Sequence, residues 1–173
     1  DVYKRQLLAM AWLPAEGALA ARETLSALMA QFAFASCAPF SNNTPLDEPG
    51  RERTGVLLRA AAHEAPPDAL IAQIEALLGM AGADTLRYAD KKRGQRRAAR
   101  LAHQGDNTTL EGIVLAGDTS AEGWLKTLLQ EELPAQTYGR LLLVPGAKAP
   151  VAVQSRGKPC LLYTSPSPRD LST

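Results

Sequence analysis

The stretch from Gln95 to Ala116 most constrains what this chain can fold into. Two strand-forming runs, Gln95 to Leu101 and Thr108 to Ala116, flank His103-Gln104-Gly105-Asp106-Asn107. That intervening composition is turn chemistry: glycine supplies positive φ, and Asn and Asp tolerate it. Arg96 to Arg100 would suit a helix on propensity alone, but the turn and the apolar run beyond it make a hairpin the consistent reading. Leu110, Gly112, Val114 and Ala116 alternate with Glu111, Ile113 and Leu115, so the second strand should be covered on both faces. Thr85-Leu86-Arg87-Tyr88 reads as a further strand.

Helical periodicity marks three other segments. Between Glu16 and Phe32, the positions Leu19, Leu25, Leu28, Met29 and Phe32 fall on one face, with Pro14 and Gly17 marking the start. Pro66-Pro67-Asp68 opens a second helix with the stripe Leu70, Ile71, Ile74, Leu77 and Leu78, and Gly79 is placed to end it. Thr119 to Glu122 fits a capping box ahead of Trp124, Leu125, Leu128 and Leu129, in a helix that stops before Pro134. Phe34 to Phe40, Val56 to Leu58 and Arg140 to Val144 read as strands, and Ser41 to Gly50 as a loop. The expected class is α+β, with three helices on mostly antiparallel strands. Two small subdomains, 7–80 and 81–144, would meet near Gly79 to Asp84, followed by a linker at 145–159.

Both ends resemble translated sequencing-adapter read-through, Asp1-Val2-Tyr3-Lys4-Arg5-Gln6 at one and Cys160 to Asp170 at the other. Residues 1–6 and 160–173 are therefore expected to be artefactual and are set aside for function. Nineteen basic and eighteen acidic residues leave a net charge of +1. Such a balance gives no overall reason to expect nucleic acid or an anionic membrane as a partner. No apolar run approaches the roughly 20 residues that span a bilayer, and two cysteines make no disulfide framework. A cytoplasmic setting is expected.

Candidate chemistry is sparse. Lys91, Lys92, Arg93, Arg96, Arg97 and Arg100 put six cations within ten residues. They could hold phosphate, yet no aromatic interleaves them, and a solvated turn and strand edge is the preferred reading. Cys37 has no second cysteine or histidine at ligand spacing and reads as a small buried hydrophobe. His63 and His103 stand far apart, in or beside loops. Ser36 has no nucleophile elbow around it. Gly112 through Gly117-Asp118-Thr119-Ser120 could cradle phosphate at a helix start, but the Asp118 carboxylate would repel it, so a structural turn is preferred. Trp12 and Trp124 read as core or interface anchors. No catalytic, cofactor-binding or metal-ligating residue is assigned.

The order of several short words adds a resemblance. Cys37-Ala38-Pro39-Phe40, Arg51 to Ala61, Leu86-Arg87-Tyr88-Ala89-Asp90 and Arg93-Gly94-Gln95-Arg96-Arg97 resemble the C-terminal region of bacterial assimilatory nitrate reductase catalytic subunits. So do Leu115 to Thr119, Glu122 with Trp124-Leu125, and Tyr138 to Gly146, so that most of residues 32–159 is covered. The family is of the molybdopterin oxidoreductase kind. The resemblance implies that the molybdenum and 4Fe–4S sites lie upstream, outside this chain. It also implies a 2Fe–2S module beyond Ser155-Arg156-Gly157-Lys158-Pro159. Leu161 and Leu162 depart from the Cys-x-Cys expected there, so Cys160 is not carried over as a ligand, and the Ser41 to Pro49 stretch is a second departure. Tyr88, Asp90, Gly94 and Gly117-Asp118-Thr119 also resemble a lobe of flavin-dependent NADH:nitrite reductases, where Arg96 replaces a usual aromatic. Either resemblance implies a non-catalytic accessory fragment of a nitrate-assimilation oxidoreductase. It would position the catalytic body relative to a flavin or iron–sulfur electron donor, with other domains of the same polypeptide as partners. The alternatives are a lobe of a flavin-dependent NADH:nitrite reductase and a stand-alone binding module using the basic hairpin.

Overall fold

A computed structural model describes residues 5–14, 16–41, 53–64, 66–138 and 141–143. It shows an α+β fold, with three α-helices on one six-stranded antiparallel sheet. The strands are β1 (Arg5–Trp12), β2 (Phe34–Ser41), β3 (Thr54–Ala62), β4 (Thr85–Asp90), β5 (Gln95–Gln104) and β6 (Asn107–Gly117), in the spatial order β2-β3-β1-β6-β5-β4. The helices are α1 (Ala18–Leu28), α2 (Asp68–Leu77) and α3 (Glu122–Gln130).

The centre of the sheet is β1, a strand that the sequence analysis leaves without an element. Ala9 pairs with Leu58 of β3 on one side and Val114 of β6 on the other. Arg5 and Gln6, set aside as part of an artefactual end, lie within it. Because β1 joins β3 to β6, segments 7–80 and 81–144 contribute to the same sheet and to the cores on both of its faces.

Alternation along β1 explains those two cores. Leu7, Ala9 and Ala11 face α1 and α2, while Leu8, Met10 and Trp12 face α3. Small residues dominate the first face at Ala9, Ala11, Ala60, Ala98 and Ala116, making room for Leu25, Ile71, Ile74, Leu78 and Met80. The second face packs Leu57, Ile113 and Leu115 against Trp124, Leu125, Leu128 and Leu129. Fully burying each large side chain contributes on the order of 1.5–3 kcal/mol.

The helix ends show where local chemistry was legible. Gly17, with φ 86°, precedes α1. After α2, the Gly79 N–H donates to Ala76 O and the Met80 N–H to Glu75 O (2.8 Å), a Schellman stop with Gly79 at φ 74°. The capping box at Thr119 does not form. The Thr119 hydroxyl donates to Gln6 Oε1 (2.8 Å), Glu122 binds Arg59, and α3 starts without a side-chain cap. Cross-strand partners take both groups that the box requires.

The hairpin β5–β6 forms as expected, with one correction. Arg100 pairs with Gly112, whereas Leu101 pairs with Leu110, so Glu111 is an extra, unpaired residue. This bulge turns Leu110 towards α3 with Ile113 and Leu115, away from the face of Val114 and Ala116. The last strand expected, Arg140 to Val144, is also corrected: Leu141 to Leu143 form a turn, and Leu142 is buried on the α3 side. Arg140 and Val144, the loop 42–50, the linker 145–159 and residues 160–173 lie outside the described residues.

Candidate functional site: the basic hairpin

The six-cation run divides where the turn becomes strand. Lys91, Lys92 and Arg93 occupy the β4–β5 turn and are exposed, whereas Arg96, Arg97 and Arg100 lie in β5 and turn inward. Arg96, on the α2 face, reaches Glu75 at 3.4 Å and Asp68 at 3.5 Å. Arg87 of β4 donates to the same Glu75 (2.5 Å) and to Met80 O (2.5 Å). Glu75 is 2% exposed, and two arginines offset the cost of burying its charge.

Arg97 points to the opposite face. It is 1% exposed, donates to Leu142 O at 3.3 Å and lies 3.8 Å from Asp118. Burial lowers the pKa of its guanidinium, and the charges of Asp118 and Tyr88 work against that shift. Its Nε and Nη2 are buried without a hydrogen bond. Arg100 covers the bulge, donating from Nη2 to Trp12 O (3.2 Å) and Glu111 O (3.4 Å). The bulge interrupts the ladder, and Arg100 supplies a donor to the Glu111 carbonyl there.

The free half of the run borders a cleft of about 410 Å³ between the start of α2 and the β4–β5 turn. Asp68, Arg87, Tyr88, Asp90, Lys91 and Arg96 contribute to its walls. Arg93 pairs loosely with Asp90 (3.8 Å) and its side chain is 76% exposed.

A second buried carboxylate sits at the bulge. Glu111 accepts from both Nη atoms of Arg53, with Nη1 at 3.2 Å, and the Thr109 hydroxyl lies 3.4 Å away. The Arg53 guanidinium lies 4.8 Å from the Trp12 ring centre and also reaches Glu132 at 3.5 Å. Phe40 also tilts against Trp12, with ring centroids 4.9 Å apart. Trp12 and Trp124 are thus core anchors, and their indole N–H groups are buried without a hydrogen bond.

The remaining sequence candidates do not converge. Cys37 packs against the α1–α2 core, and Ser36 faces the other side, as neighbours in a strand must. Ser36 lines a cleft of about 400 Å³ with Phe34, Arg59, Thr119 and Glu122. Arg59 donates through Nε to Glu122 (2.9 Å), and that hydrogen bond raises its pKa. His103 shares a 2.9 Å contact between Nδ1 and the Thr108 hydroxyl, and His63 is exposed beside Glu64. At Gly117-Asp118-Thr119-Ser120, weighed above as a phosphate cradle, the Asp118 carboxylate accepts from the Ser120 N–H (2.9 Å). Gly117, at φ 94°, has no room for a side chain: a Cβ there would lie 2.5 Å from Gly94 O.

Among the described residues, no group of three or more His, Cys, Asp or Glu side chains is arranged to hold a metal ion, and no helix is long and apolar enough to cross a membrane. Sequence reasoning missed Glu75, Arg53 and Glu132 and gave Glu111 no role. Glu75 carried a signal, since it lies four residues after Ile71, inside the apolar stripe of α2, where a carboxylate needs a cation. No family model, curated protein or solved structure matches this chain.

Proposed function

We propose that the chain is a non-catalytic positioning module of a nitrate-assimilation oxidoreductase, set between a molybdenum catalytic body and an electron-delivering module. In this reading the molybdopterin and iron–sulfur groups belong to the rest of the parent enzyme. The observation that carries it is where the family-like words fall. Arg59 pairs with Glu122, Arg97 lies by Asp118, and Gly94 packs against Gly117. Words far apart in sequence thus meet as the contacts that hold the sheet together, which suits an architectural role.

The physical rationale is geometric. Electron transfer needs cofactors held close and in fixed orientation. A sheet buried on both faces resists deformation far better than a flexible connector. Removing 85–144 alone would strip β6 from β1 and open both cores, so the cleaner experiment replaces the whole of 7–143. In a complete parent enzyme, a Gly/Ser linker in that place should lower nitrate reduction by the physiological donor at least about tenfold, as expected when positioning is lost. Reduction by a small diffusible dye should be largely retained. An equal loss with both donors would overturn the proposal.

A further inference from the structure

We infer that the β4 strand and the turn that follows it are a docking surface for an acidic protein segment of the electron-delivering partner. The inference rests on the positioning role proposed above and names the face through which it would act. Lining the cleft, Arg5, Arg87, Lys91, Arg96 and Arg97 stand against Asp68 and Asp90, five cations to two carboxylates, and Lys92 and Arg93 adjoin them in the turn, on a chain whose total is only +1. The excess is concentrated where no internal contact consumes it. Lys91 and Lys92 have no ion-pair partner among the described residues, and the Arg93 guanidinium reaches Asp90 at 3.8 Å, a carboxylate that also accepts the Arg93 backbone N–H.

The same strand offers more than charge. Among the described residues β4 is an edge, paired only with β5. Leu86, on its α3-side face, is 39% exposed although large and apolar, and Tyr88 follows two residues later on the same face. Apolar surface beside a basic turn suits a protein segment that mixes carboxylates with apolar residues. A nucleic acid strand fits less well. Asp68, whose side chain is 82% exposed, and Asp90 would oppose a phosphate backbone, whereas a peptide can meet them with its own donors. The opposite edge, β2, makes the contrast: it carries no charged residue and contains Pro39, which cannot donate a hydrogen bond to an added strand.

The test titrates the full chain, followed by backbone amide NMR, with a peptide of alternating glutamate and leucine. Oligo-dT and inorganic phosphate serve as comparison probes. Shifts confined to residues 85–96, weakened at least about tenfold by a several-fold rise in salt, are the expected result. Binding should vanish in the triple variant Lys91→Glu, Lys92→Glu, Arg93→Glu, with Lys92→Glu alone as a milder version giving a partial loss. No shifts in this region, tighter binding of oligo-dT or phosphate than of the peptide, or unchanged binding by the folded triple variant would each overturn the inference. The linker replacement described above fails separately. Peptide binding that persists while both donors lose activity equally would leave the surface standing and remove the positioning role.

Discussion

The two halves of the basic run are neighbours in sequence and opposites in structure. Arg96, Arg97 and Arg100 are drawn into the sheet and bound to Glu75, Leu142, Trp12 and Glu111. Lys91, Lys92 and Arg93, beginning five residues before Arg96, stand in solvent. A strand flanked by helices on both faces turns its side chains inward whatever their charge, and long guanidinium arms then reach carbonyls and carboxylates. A turn imposes no such demand. A cluster of charges in sequence is therefore not a cluster in space, and only its unspent half is available to a partner.

Substitutions can break or sharpen that contrast. The largest effect should come from Glu75→Ala, which removes the carboxylate shared by Arg87 and Arg96. Urea denaturation should show a loss of about 3 kcal/mol, as for other broken buried pairs. A change below about 0.5 kcal/mol would mean that Arg87 and Arg96 are not anchored as described. Glu111→Ala should cost less, about 1–3 kcal/mol, because Arg53 keeps Glu132 and the Trp12 ring. If calorimetry shows no drop in melting temperature, the bulge does not depend on this carboxylate.

Arg97→Met should fall within about 1 kcal/mol of the parent, in either direction. Burial lowers the pKa of Arg97, so folding disfavours its charged form, and that penalty offsets the contact with Leu142 O. A loss above about 3 kcal/mol would show that the buried guanidinium is a principal stabiliser. The smallest effect belongs to the turn. Reversing Lys91, Lys92 and Arg93 together should move stability by no more than about 0.5 kcal/mol, as for exposed sites elsewhere. A larger change in the same denaturation experiment would return the turn to the structural half.

Much of the fold was legible from periodicity and punctuation. The stripe of α2 with Gly79 behind it, the face of Trp124 to Leu129, and the β5–β6 hairpin all carry local signals that tertiary packing agrees with. The central strand was not legible, because Leu7 to Leu13 is apolar throughout and shows no period from which to choose a face. Only pairing to both β3 and β6, under helices on both sides, accounts for it. The face of Leu110 was misread because one unpaired residue, Glu111, shifts the alternation. The capping box was misread because Arg59 and Gln6 reach its members from other strands. For the candidate site, the basic run was visible, but its division depended on where β5 begins. The Arg53–Glu111 pair joins residues 58 apart and leaves no local trace.

The most direct measurement is hydrogen exchange at the arginine Nε–H groups, resolved by side-chain NMR of the full chain. The Nε atoms of Arg97 and Arg100 are buried away from solvent, so their protons should persist far longer than that of Arg93 in the turn. Uniformly fast exchange across these arginines would contradict the division of the basic run into an internal half and a free one.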